Sequence, residues 1–107
     1  MNADAVVLVL TTWPATADPV PFASALVEER LAACVNLLPE MESIYRWQGR
    51  VEREQERQVL VKTTAKRLDA LRRRIAELHP YEVPELLVLE VAAGGERYLS
   101  WLKESTA

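Results

Sequence analysis

Residues Val35 to Thr64 read VNLLPEMESIYRWQGRVEREQERQVLVKTT, two β-prone arms on either side of Gln48-Gly49. Val35–Trp47 has the composition of a strand, and Pro39 marks a bulge or bend in it because proline cannot donate to a ladder. Gln48-Gly49 is a turn dipeptide, so Arg50–Thr64 returns as the second arm of a long hairpin. The arms outrun anything the rest of the chain could lay against them. Their tip nevertheless carries Tyr45 and Trp47, beside the polar stretch Glu52–Gln58. Large aromatics on a strand that extends past its own core need a partner to bury them, so the hairpin predicts a homo-oligomer.

Working outward, Ala5–Thr12 (AVVLVLTT) is apolar on both faces and reads as a central strand. Pro14, Pro19 and Pro21 interrupt the chain. From Pro21 to Cys34, apolar residues fall at Ala23, Leu26, Val27, Leu31 and Cys34, the offsets of one helical face. After the hairpin, Thr64 is placed to cap a second helix with an apolar face of Leu68, Leu71, Ile75 and Leu78. Pro80 ends that helix. Glu85–Ala92 is the fourth strand, and Gly94-Gly95 leads into a short helix carrying Tyr98, Trp101 and Leu102. The order β-α-β-β-α-β plus a terminal helix predicts a ferredoxin-like α+β fold, one domain over residues 1–107.

Composition narrows the function. The chain has 107 residues, half of them hydrophobic and 27% charged, as one globular domain requires. Its net charge of −3 argues against nucleic acid as the main partner, since phosphate neutralisation supplies most such affinity. The third strand, Gln58–Thr64, also lacks the stacking aromatics of an RNA-recognition sheet. The early apolar run Ala5–Leu10 is too short to span a bilayer, and no Lys or Arg precedes Arg30 as a signal peptide would need. Cys34, the sole cysteine, cannot form an intramolecular disulfide. The expectation is a cytoplasmic protein without membrane or nucleic-acid partners.

Motifs for nucleotide, zinc-protease or serine-hydrolase chemistry are absent. His79 is the only histidine and stands in His79-Pro80-Tyr81-Glu82-Val83-Pro84-Glu85 at the end of the second helix. Two readings are open for it. It interacts with the last helical carbonyls, or it contacts a metal with Glu82 or Glu85 close by. Cys34 reads as a buried structural thiol on the first helix, with a Cys–His nucleophilic pair as the sharper alternative. Lys66, Arg67, Arg72, Arg73 and Arg74 give the second helix a basic side that reads as a solvated, salt-bridged face.

Taken in order, ACVNLLP (33–39), SIYRWQG (43–49), VKTT (61–64), HPYEVPE (79–85) and YLSWL (98–102) resemble the CutA family of divalent-cation tolerance proteins. The resemblance covers about Val6 to Leu102. It implies a ferredoxin-like subunit in a tight homotrimer with interlocking hairpins, similar to the PII signalling trimers. It also implies a link to copper and other divalent metals, with no organic cofactor. Of the copper ligands it implies, a cysteine ending the first strand and paired histidines before Pro-Tyr, only His79 remains. Thr11 lies at the strand's end and Leu78 precedes His79. The resemblance therefore yields a non-catalytic metal-tolerance trimer with metal contacts at His79 and Glu82, taking Cu²⁺ or another divalent cation. The alternatives are a PII-like small-ligand module, with Cys34, Tyr45, Trp47, Lys62 and Tyr81 at its cleft, and a Cys34–His79 enzyme. No protein partner is implied beyond further copies of the chain.

Overall fold

The structure, a computed structural model, describes residues 1–107. Strands β1 (Val6–Pro14), β2 (Cys34–Trp47), β3 (Arg50–Thr64) and β4 (Leu87–Glu90) form one antiparallel sheet in the order β2-β3-β1-β4. Helices α1 (Val20–Glu28) and α2 (Leu68–Leu78) supply one covering layer, and α3 (Glu96–Ser105) closes the chain. This is the ferredoxin-like arrangement expected from the element order.

Side-chain alternation splits the sheet into two faces. Val7 and Val9 of β1, with Val59 and Val61 of β3, pack under Phe22 and Leu26 of α1 and Leu71 and Ile75 of α2. Most of these are fully buried, and each aliphatic side chain so placed contributes about 1.5–3 kcal/mol. Val6 and Thr64, which are register partners, point to the other face and meet α3. There Leu102 packs on Val6, and the Thr106 hydroxyl meets that of Thr64 at 3.2 Å. Arg30 and Arg67 donate to the carbonyls of Glu104, Thr106 and Ala107, satisfying the groups that end α3.

The hairpin has the predicted form. Its register shifts between Leu37 and Glu40, around Pro39, and Gln48 (φ 49°) and Gly49 (φ 79°) take the left-handed conformations of a tight hairpin turn. Pairing with β1 stops at Pro14–Glu56, so the arms from Glu42 to Gln55 are two-stranded and project from the sheet. Ile44, Tyr45, Trp47 and Val51 are exposed there.

Four boundaries differ from the sequence reading. The first helix ends at Glu28, and Cys34 opens β2 instead of continuing the helical face. Arg30 adopts φ 61°, and Leu31 and Ala32 donate back to the Leu26 carbonyl, a left-handed stop that periodicity does not reveal. β1 runs on to Pro14, which is tolerated because β4 pairs only as far as Leu10 and leaves that edge open. β4 is shorter than Glu85–Ala92, and at its start the Gln58 side chain takes the Thr11 carbonyl at 2.7 Å. Thr64 does not cap α2: a 3₁₀ turn over Ala65–Arg67 intervenes, and the Thr64 hydroxyl is engaged with Thr106.

Candidate functional site

His79 owes its position to its neighbours in sequence. It precedes Pro80 and so leaves the helical region (φ −75°, ψ 136°), which ends α2 and turns the imidazole inward. The ring is buried in a cluster with Trp13, Phe22 and Tyr81, at centroid distances of 5.1, 6.2 and 4.9 Å. The Tyr81 backbone N–H donates to Nδ1 at 3.1 Å, so Nε2 carries the ring proton and donates to the Thr12 carbonyl at 2.6 Å. Both nitrogens are committed, and the last carbonyls of α2 are not their partners. His79 thus pins the Pro80–Glu85 loop to the end of β1.

That loop passes over the sheet face opposite α1 and α2, and two polar pairs fasten it to β3. The Tyr81 hydroxyl donates to Glu56 Oε2 at 2.8 Å, and Gln58 Nε2 donates to Glu85 Oε2 at 2.9 Å. Between the loop and the hairpin lies a cleft of about 890 Å³. Tyr45, Trp47 and Tyr81 line it together with Glu54, Glu56, Glu82 and Glu85, and no Lys, Arg or His does. Glu56 is only 7% exposed and is paired with no cation.

Burial, and after it the acidic surroundings, disfavour ionisation of the cleft phenols. Burial, the hydrogen bond to Glu56 and the Glu56 charge push the Tyr81 phenol well above its usual value of 10. Desolvation, then the charges of Glu54, Glu56 and Glu52, raise Tyr45 as well. For an acid whose folded pKa is raised, the linked stability is present below the unfolded pKa and is lost as pH rises through the folded one. Ultraviolet titration of the phenolate band is therefore expected to show Tyr81 ionising above the normal range. Stability should decline with pH beyond about 10, and Glu56→Gln should bring Tyr81 down toward the ordinary tyrosine range. Ionisation of Tyr81 at the ordinary value in the folded protein would contradict the pairing.

The expected cleft residues divide. Tyr45, Trp47, Tyr81 and Glu82 come together around the cleft. Cys34 and Lys62 do not join them: they are register partners at the other end of the hairpin, where the Lys62 ammonium sits 5.8 Å from the Tyr98 ring. Lys62 lies six positions along β3 from Glu56, about 20 Å of strand. Cys34 is likewise remote from His79: through Lys62 it is level with Leu8, whereas His79 bonds to Thr12, about 13 Å further along β1. Within the subunit there is no Cys–His pair. Glu56 does not stand out in the sequence because it sits in the run Glu52–Gln58, whose charges look uniformly solvated.

The residues do not fit a closed copper centre within one subunit. The His79 lone pair is used, and no three His, Cys, Asp or Glu side chains are grouped as metal ligands would be. Thr11, at the strand end where a thiolate was implied, keeps a buried hydroxyl without a hydrogen-bond partner, as does the indole N–H of Trp13. A hydroxyl is a poor substitute for a thiolate toward a soft ion.

A ferredoxin-like subunit with a long projecting hairpin, and an acidic cleft beside the Pro80–Glu85 loop, has the architecture of the CutA class. The family pattern described as CutA1 divalent ion tolerance protein matches residues 7–105, and the chain belongs to this family. It is 52% identical over 99 residues to the divalent-cation tolerance protein CutA of Thermus thermophilus, covering 92% of this chain and 96% of that one. The solved structure of the divalent cation tolerance protein from Thermus thermophilus superposes with a TM-score of 0.91 at 50% identity, over 95% of this chain and 99% of that one. The PII-like protein CutA from Nostoc sp. PCC 7120, in apo form, superposes with a TM-score of 0.86 at 39% identity, over 94% and 97% of the two chains. No helix is long and apolar enough to cross a membrane.

Proposed function

We propose that the chain is a non-catalytic binding subunit in the cellular response to divalent cations, acting in the cytoplasm as a homotrimer. Its binding element is the cleft between the hairpin and the Pro80–Glu85 loop. The observation that carries this reading is Glu56, a buried carboxylate facing a cleft with three further glutamates and no base. Such a surface attracts cations and repels phosphates. Catalysis has no support in the arrangement, because Cys34 and His79 are apart and the imidazole has no free nitrogen to act as a base. The trimer is supported by the unburied aromatics of the hairpin and by the apolar residues Leu87 and Leu89 left exposed on β4.

Where a divalent ion binds, the cleft carboxylates are its contacts and His79 is a positioning residue. Calorimetric titration of Cu²⁺ is expected to give affinity weaker than about 1 µM, diminished in Glu82→Gln. His79→Gln, which acts only through the loop it anchors, should weaken that affinity less than Glu82→Gln does. Tight binding abolished by His79→Gln in a folded protein would overturn the assignment. A second reading, a PII-like module for a small organic ligand, is favoured by the size of the cleft and its aromatic walls.

A further inference from the structure

The Pro80–Glu85 loop is fastened at three points. Tyr81 bonds to Glu56, Glu85 to Gln58, and His79 ties the start of the loop to β1. In the last of these the imidazole plays two parts. Its Nε2–H donates to the Thr12 carbonyl at 2.6 Å, while the bare Nδ1 accepts from the Tyr81 N–H at 3.1 Å. Only a neutral ring can do both, because the imidazolium is a donor at each nitrogen. A proton arriving at Nδ1 sets two N–H groups against each other. Turning the ring over brings no relief, since carbon atoms then stand where both nitrogens were.

The surroundings do not compensate the charge. From β1 the buried ring meets Thr12 and Trp13, from α1 Phe22, and from its own loop Tyr81. Of these only Tyr81 titrates, and its hydroxyl is turned to Glu56 of β3. No carboxylate forms an ion pair with the ring. On α2, Arg74 pairs with Glu77 and with Glu29 of the segment after α1, while Glu82 and Glu85 line the cleft. A buried charge without a partner is costly, so a protonated ring gives up the Tyr81 N–H and moves toward water.

We infer that the Pro80–Glu85 loop is a proton-released strap: protonation of His79 frees Tyr81 from the ring, and the loop withdraws as one wall of the cleft. The proton and the Tyr81 N–H compete for one lone pair, so falling pH favours the released loop and rising pH the fastened one. The device does not depend on what the cleft binds. It makes the shape of the cleft responsive in the range where histidine is the side chain that ordinarily changes charge.

Amide hydrogen exchange of the full chain, followed residue by residue by NMR and corrected for the intrinsic rate at each pH, tests this. Protection of the Tyr81 amide is expected to fall about tenfold between about pH 7.5 and about pH 5.5, as one proton binds a released imidazole of ordinary value, about 6.5. The interval stops above the usual carboxylate range of about 4, so the imidazole is the group read. The amides of Val9 and Ile75, fully buried in the core, should keep their protection. His79→Asn retains an acceptor near the place of Nδ1 and takes no proton in this range, so its Tyr81 amide should show no fall. A Tyr81 amide that is unprotected at the upper pH, or whose protection is flat across the interval, overturns the inference. So does a fall matched by Val9 and Ile75, which would be general acid unfolding, or an undiminished fall in the folded His79→Asn protein. If His79→Asn does not fold, the wild-type comparison of Tyr81 with Ile75 decides, together with the ring ¹⁵N signals. An imidazolium formed at the lower pH with Tyr81 still protected would also refute the strap.

Discussion

Replacing His79 with alanine is expected to lower the stability of the folded chain by about 3–4 kcal/mol, measured as a shift in the denaturant midpoint at fixed protein concentration. The loss has two parts. Removing the ring leaves a void between Trp13, Phe22 and Tyr81, and aromatic truncation in a core costs about 3–5 kcal/mol when the surroundings cannot collapse. The Thr12 carbonyl and the Tyr81 N–H also lose their partner, though the exposed end of the loop admits water to the latter and moderates that cost. The loop itself supplies a specific readout. With its anchor gone, the Tyr81 hydroxyl should no longer be held against Glu56, and its ionisation should fall back toward the ordinary tyrosine range. A merely destabilising core substitution such as Ile75→Ala would lower the midpoint without moving that titration. A loss under about 1 kcal/mol, with Tyr81 unmoved, would show that the loop is held by something other than the imidazole.

This residue also marks how far the sequence is legible. That His79 ends a helix before Pro80 follows from proline chemistry alone, and so does the bulge near Pro39. The hairpin turn at Gln48-Gly49 and both ends of β3 follow from equally local rules. These features depend on residues a few positions apart, and local rules capture them. The Leu26 carbonyl accepting from Leu31 and Ala32 is also local, but it hinges on Arg30 taking a left-handed conformation that its side chain does not announce. The cleft depends on long-range placement. The Tyr81 hydroxyl reaches a carboxylate 25 positions earlier, and the Thr64 hydroxyl a threonine 42 positions later. Tyr45, Trp47, Tyr81 and Glu82 are foreseeable neighbours because hairpin and loop lie on one side of the sheet in this topology. Glu56 is not, because only the overlying loop distinguishes it from Glu52 and Glu54. Lys62 and Cys34 lie away from the cleft for the converse reason: strand ends converge at both ends of a sheet, and composition does not say which end a ligand uses.

Excising Ser43–Glu54 and joining Glu42 to Gln55 through Asn-Gly is expected to convert the proposed trimer to a single subunit at micromolar concentration. Light scattering should then fall from three times the 12.1 kDa chain mass to about one. The subunit should survive the change, because no residue from Cys34 to Gln55 is buried and the core draws on β1, β3, α1 and α2 with the turn after α1. Pairing between β2 and β3 continues below the excision at Met41–Glu56 and Glu42–Gln55, and Asn-Gly suits the tight turn that must close it. What is removed is the two-stranded extension bearing Ile44, Tyr45, Trp47 and Val51, apolar side chains with no cover in their own subunit. An isolated two-stranded ribbon is marginal in water, so the length of this one is intelligible only if another surface completes it. The competing source of assembly is the sheet face carrying Leu87 and Leu89, which α3 leaves partly open. If the shortened chain still scatters as a trimer, that face holds the subunits together and the hairpin has another use. If the full chain is itself a monomer, exposed hairpin aromatics do not drive assembly in this protein. Far-ultraviolet dichroism retained alongside a subunit mass of one would place the assembly energy in the hairpin and the folding energy in the sheet and helices beneath it.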